Sequence, residues 1–184
     1  MLRALVDRAR QGDEEAFAAL TSAVGDRCMA VAFRILRDVD LAEDAVQIAL
    51  VTGWRQLRSL RDPDRFEAWL HRLLVRACYA EARRSRRTTL ALLELSKGSG
   101  YATDDMLTVD DRDQLERGFR RLSPEQRAVL VFHHYLGLSL PEVAFRLGIP
   151  LGTAKSRLHY ASAALRAALE ADARTPRLSK ERPA

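Results

Sequence analysis

From Phe17 onward the apolar residues recur at Leu20, Val24, Cys28, Val31 and Ile35, in steps of 3, 4, 4, 3 and 4. Those steps put all six on one face of a single helix, whereas a strand alternates at every second residue. No alternating run long enough for a strand occurs elsewhere, and glycines and prolines sit at boundaries. The chain is therefore expected to be all-α. Gly12 closes a short first helix, and Asp13 is placed to cap the long one. A helix over about 41–60 follows, apolar over a wide arc, before Asp62-Pro63-Asp64 breaks the chain.

The next helix starts near Asp64. Phe66, Trp69, Leu70, Leu73, Leu74, Ala77 and Cys78 form its inner face. Arg65, Arg72, Arg76, Arg83 and Arg87, in steps of 7, 4, 7 and 4, make an outward cationic stripe on the same helix. The cluster Arg83-Arg84-Ser85-Arg86-Arg87 is expected to end it. The pattern then lapses. Lys97-Gly98-Ser99-Gly100 has a flexible composition, and Asp104, Asp105, Asp110, Asp111 and Asp113 make the stretch acidic. The expected architecture is two small helical domains, 1–88 and 111–171, joined by a flexible acidic linker at 89–110. A short helix at 90–95 is expected within that linker, and a disordered tail at 172–184.

The second domain opens with a helix around 111–121. Ser123-Pro124-Glu125-Gln126 and Ser139-Leu140-Pro141-Glu142 are two capping boxes with Pro inside the first turn. The second box starts a short helix with inner face Leu140, Val143, Ala144 and Leu147. Gly148-Ile149-Pro150 turns the chain into a last helix over about 151–170. Segment 139–160 thus reads as a helix-turn-helix. Its second helix presents Lys155, Ser156, His159 and Tyr160 outward, a hydrogen-bonding surface narrow enough for a major groove. Thr153 and Arg157, near its start, suit phosphate contacts. The composition agrees: 30 Lys+Arg against 25 Asp+Glu give a net +5, with only Lys97, Lys155 and Lys180 as lysines. An arginine-rich excess points weakly to nucleic acid.

These residues resemble a known family. Leu122-Ser123-Pro124-Glu125-Gln126-Arg127, Gly137-Leu138-Ser139 and Gly148-Ile149-Pro150-Leu151-Gly152-Thr153-Ala154-Lys155-Ser156-Arg157-Leu158 are similar to the fourth conserved domain of bacterial sigma factors of the sigma-70 family, in its extracytoplasmic function (ECF) group. Gly12-Asp13-Glu14-Glu15-Ala16-Phe17, Ala42-Glu43-Asp44-Ala45-Val46-Gln47, Trp54-Arg55 and Phe66-Glu67-Ala68-Trp69-Leu70 resemble the second domain, in the right order. The resemblance implies a factor that binds core RNA polymerase, at its clamp and flap, and directs it to promoters. It implies no cofactor and no catalysis of its own, a cytoplasmic location, and an anti-sigma factor as a further partner.

The resemblance also implies roles for particular residues. The −35 element falls to Thr153, Lys155, Ser156, Arg157, His159 and Tyr160. Asp62, Asp64, Arg65, Arg72, Arg76, Arg83 and Arg87 lie where the family contacts and melts −10 DNA. Asp62 and Asp64 offer acceptors to an extruded base, and the arginines a phosphate track. Trp54, Phe66 and Trp69 are possible stacking residues, but Phe66 and Trp69 follow the buried periodicity. Asp40, Asp44, Gln47 and Val51 match the clamp-binding surface. Acidic residues at Asp38, Asp40, Glu43 and Asp44 also suit the positive end of a helix dipole. The aspartates of the linker suit a basic channel of the polymerase. Three positions depart from the family: Ile48 replaces a usual Glu, Ala77 a frequent Asn, and Glu81 a frequent Asp.

Other classes fit less well. No apolar run approaches the roughly 20 residues of a membrane helix, so no membrane insertion is expected. Cys28 and Cys78 are too few for a disulfide scaffold and lie on apolar faces, as core thiols. An enzyme would have to use His71, His133, His134 or His159, each expected at the surface or half-buried. Adjacent His133 and His134 point about 100° apart on a helix and cannot pair on one metal at the usual spacing. The nearest rival is a stand-alone helix-turn-helix regulator that binds duplex DNA without polymerase.

Overall fold

The computed structural model describes residues 2–96 and 114–174, and every regular element among them is helical. Helices α1 (Leu2–Arg10), α2 (Glu14–Leu36) and α3 (Val39–Gln56) lead to two 3-10 turns, Leu57–Ser59 and Pro63–Arg65. Then come α4 (Phe66–Ser96), α5 (Gln114–Arg121), α6 (Pro124–Leu130) with a π turn at Val131–Tyr135, α7 (Leu140–Leu147) and α8 (Leu151–Arg174). The Gly-Ser stretch, the acidic linker aspartates and the tail beyond residue 174 lie outside the described residues.

Local chemistry sets the boundaries. Asp13 accepts the Ala16 N–H at 2.9 Å and pairs with Arg8 at 2.6 Å. The Ala16 N–H first, and Arg8 second, hold its carboxyl below the usual range. Asp38 accepts the Leu41 N–H at 2.9 Å, so α3 begins at Val39, earlier than the expected 41. The arginine cluster does not end α4, which continues to Ser96 and absorbs the separate helix expected at 90–95. Leu and Ala between 90 and 95 are good helix formers, and the first breaker is Gly98. The Thr88 and Thr89 hydroxyls donate back to the Arg84 and Ser85 carbonyls at 3.2 and 3.1 Å. Residues 172–174, expected in the tail, are likewise helical.

The core begins with α2, α3 and α4. Leu20, Val31 and Ile35 meet Leu70, Leu74, Val75 and Cys78, and buried Ala42, Ala45 and Ala49 let α3 lie close to both neighbours. Each fully buried Leu or Val contributes roughly 1.5–3 kcal/mol. By length and composition α2 is apolar enough to cross a bilayer, and its apolar stripe is the face this core uses. Cys28 and Cys78 are buried, and burial pushes their thiols up to about 11 and about 12. In the second half α5, α6 and α7 pack on α8. The halves also touch each other. Val129, Phe132 and Val143 belong to the first core, while Leu122, Leu130 and Ala161 form a second cluster. The unbroken run Ala128-Val129-Leu130-Val131-Phe132 makes this possible, because it gives α6 and its π turn apolar residues on both sides.

Candidate functional site

The helix-turn-helix is built as its sequence implies. The Ser139 N–H and hydroxyl both donate to Glu142, at 2.9 and 2.6 Å. These bonds, the hydroxyl's first, hold the Glu142 carboxyl below its ordinary range. Gly148 takes a left-handed φ of 67°, and the Ile149 N–H closes α7 on the Ala144 carbonyl at 3.0 Å. Buried Ala144 and Ala154 allow α7 and α8 to approach closely. On the far side of α8, Lys155, Ser156, His159 and Tyr160 are exposed, Tyr160 at 65 %. Thr153 and Arg157 are half-buried. All six expected −35 residues thus lie on one helix, four of them fully presented.

The arginine stripe is divided. Arg76, Arg83 and Arg87 are exposed along α4. Arg65 pairs with Asp62 at 3.2 Å. Arg72 instead donates to the Phe145 carbonyl of α7 at 2.6 Å. The Phe145 ring lies 5.3 Å from the Arg72 guanidinium and 5.7 Å from that of Arg65. The two candidate base acceptors are engaged as well. Asp62 accepts the Asp64 N–H at 3.0 Å, and Asp64 pairs with Arg3 at 2.6 Å. Phe66 is core, Trp69 is half-buried against it, and Trp54 packs on Phe17 with ring centroids 4.8 Å apart and planes tilted by 47°. Ala77 and Glu81 are buried, so these two departures from the family pattern lie beneath the surface of α4.

On α3, Asp40, Asp44, Gln47 and Val51 are all exposed. Ile48 is exposed too, at 42 %, beside Val51 at 44 %. Next to Val51 a groove of about 320 Å³ is lined by Glu14, Phe17, Leu50, Val51 and Trp54. On the other side of Trp54, a cleft of about 240 Å³ is lined by Ala9, Gly12, Trp54, Arg55 and Arg58. An apolar floor with an acidic edge suits a helix carrying apolar and basic residues. The groove was not legible in the sequence, because Phe17 and Trp54 lie on different helices.

The histidines separate by environment. His71 is buried at 5 % exposure, contrary to the expected surface or half-buried position. It sits beside Phe132 with ring centroids 5.2 Å apart, and Arg146 donates to its Nδ1 at 2.9 Å. Since Arg has only donors, that nitrogen carries a lone pair and the ring is neutral. Burial first, and Arg146 second, lower its pKa to about 4. His133 Nδ1 donates to the Leu138 carbonyl at 2.7 Å. No group of three metal-binding side chains occurs among the described residues.

Comparison with known proteins places both halves. The model of sigma-70 region 2 matches residues 20–88, and that of sigma-70 region 4 matches residues 112–165. The ECF RNA polymerase sigma factor SigL of Mycobacterium tuberculosis is 36 % identical over 166 residues, covering 86 % of this chain and 94 % of SigL. The ECF sigma factor SigW of Bacillus subtilis is 24 % identical over 178 residues, covering 90 % of this chain and 95 % of SigW. Among solved structures, CnrH in complex with the cytosolic domain of CnrY superimposes with a TM-score of 0.65 at 28 % identity, over 93 % of this chain and 98 % of that one. The sigma factor RpoE of Bartonella quintana, in complex with the anti-sigma factor NepR, gives 0.63 at 25 % identity, over 85 % and 98 %.

Proposed function

The chain belongs to the ECF sigma factors of the sigma-70 family, and from that premise we propose which of its surfaces carries each task of promoter-specific initiation. As an alternative sigma factor it binds core RNA polymerase and directs transcription initiation. The polymerase supplies the chemistry, and this chain supplies positioning, in the cytoplasm. Lys155, Ser156, His159 and Tyr160 on α8 read base edges of the −35 element, with Thr153 and Arg157 on its phosphates. Arg65, Arg72, Arg76, Arg83 and Arg87 track the −10 strand, with Asp62 and Asp64 beside the flipped base. Asp40, Asp44, Gln47 and Val51, with Ile48 and the groove beside Trp54, receive the polymerase clamp.

One observation carries this reading. The halves that match regions 2 and 4 each bear one helix with an outward polar or cationic face. We also infer an anti-sigma factor as a partner of this chain, because the similar sigma factor RpoE was solved in complex with the anti-sigma factor NepR, and CnrH in complex with the cytosolic domain of CnrY.

The clamp assignment is tested by Asp44→Arg. Asp44 is exposed and forms no hydrogen bond or ion pair within the described chain, so helicity and melting temperature should stay as in the wild type. Binding to core polymerase should weaken by about tenfold, a charge reversal in a desolvating contact. A complex of unchanged affinity would remove Asp44 from that surface.

A further inference from the structure

On the far side of Trp54 from the groove assigned to the clamp lies a cleft with a different chemistry. It holds about 240 Å³ between the α1–α2 turn and the end of α3, and is lined by Ala9, Gly12, Trp54, Arg55 and Arg58. Arg55 and Arg58 stand three residues apart where α3 passes into a 3-10 turn, so their side chains emerge on one side. Both are exposed, and neither has a carboxylate or hydrogen-bond partner among the described residues. The cations nearby on α1 are already engaged: Arg8 pairs with Asp13 at 2.6 Å and Arg10 with Asp7 at 3.7 Å. Gly12 holds a left-handed φ of 97°, and a Cβ there would stand 3.5 Å from Arg58 Nη2, so the guanidinium lies over a bare turn. The Trp54 indole is half-buried and packs on Phe17, which holds it in place as a wall of the cleft.

We propose that this cleft is a nucleotide site, taking one nucleoside monophosphate unit with its base on Trp54 and its phosphate on Arg55 and Arg58. Each wall supplies part of the chemistry. Guanidinium groups hold phosphate through charge-assisted, often bidentate hydrogen bonds, and these two have no carboxylate of their own to give up. An indole face stacks on any nucleobase, whatever its hydrogen-bonding edge. An acidic side chain would satisfy the arginines but leave the indole unused. The size narrows the ligand further. Sites that enclose a drug-sized molecule run from about 300 to 1,000 Å³. A cleft of about 240 Å³ therefore admits a single unit, with the ribose at its mouth. That unit can be a free nucleotide or one link of a single strand, since the two offer the same phosphate and ring.

The test follows the tryptophan fluorescence of the full chain during titration with adenosine monophosphate and, separately, with a short 5′-phosphorylated oligodeoxyadenylate. Saturable quenching is expected with both probes. It should weaken at least about tenfold in Arg55→Ala and in Arg58→Ala, the loss of one charge-assisted bond. Both side chains are exposed, so these variants should stay folded, which circular dichroism checks. The quenching should disappear in Trp54→Phe, which keeps Trp69 as the second indole. Tighter binding of the strand, with the same dependence on Arg55 and Arg58, makes the site one for nucleic acid. Adenosine monophosphate bound at least as tightly makes it one for free nucleotides. No saturable quenching by either probe up to about 10 mM, some tenfold above a millimolar Kd, would overturn the proposal. So would quenching that survives in both arginine variants or in Trp54→Phe. Inorganic phosphate that displaces adenosine monophosphate at equal concentration would overturn it as well, by showing a site for a bare anion with no use for the ring.

Discussion

His71 shows how one residue acquires a role that its type alone does not specify. In the sequence it sits between Leu70 and Arg72, on the flank of an apolar face. In the fold its Nδ1 accepts from Arg146 and its ring packs on Phe132. A neutral ring with a folded pKa of about 4, against an ordinary 6.5, has a definite consequence for stability. Below pH 6.5 the unfolded chain takes up a proton that the folded chain refuses. The His71 contribution is therefore intact above pH 6.5 and is lost as pH falls towards 4, by ~3 kcal/mol in total. Urea unfolding at pH 7 and pH 5 should show a larger loss in wild type than in His71→Gln, by about 2 kcal/mol. Parallel losses in the two proteins would show that His71 is not held neutral. Cys28 and Cys78 illustrate the opposite case, where position on an apolar stripe was sufficient to place both thiols in the core.

At the scale of elements, the helix-turn-helix was legible nearly residue by residue. Capping boxes, Gly148 and the small Ala144 are local signals, and local signals survive tertiary packing. The end of α4 was not legible, because a cluster of arginines looks like a terminus while nothing in it breaks a helix. Phe145 carried no signal in the sequence for a related reason. It lies off the inner face of α7, as an exposed residue would, and its ring stands beside Arg65 and Arg72, distant in the sequence. The face of α8 is open to test. Lys155→Ala and Arg157→Ala should each weaken binding to a −35 duplex, by about 1–3 kcal/mol where a base edge is contacted. Loss of a phosphate contact should also reduce the salt slope of binding by about one. Equilibrium titrations across a salt series measure both. Unchanged affinity and slope in both variants would remove α8 from the interface.

At the scale of the molecule, the opening periodicity foresaw an all-helical chain, and the matched regions place both halves in the sigma-70 family. What it did not foresee is the shared core across the halves, since contacts between α6, α2 and α4 leave no periodic trace of their own. The central claim is that this chain directs core polymerase to promoters. Run-off transcription measures it most directly, with purified chain, core enzyme lacking other sigma factors, and fragmented DNA from the source genome as template. The account predicts discrete transcripts that depend on both components and disappear with Lys155→Ala combined with Arg76→Ala. No transcript from any fragment, together with tight binding of the chain alone to a palindromic duplex, would contradict it and identify a stand-alone regulator instead.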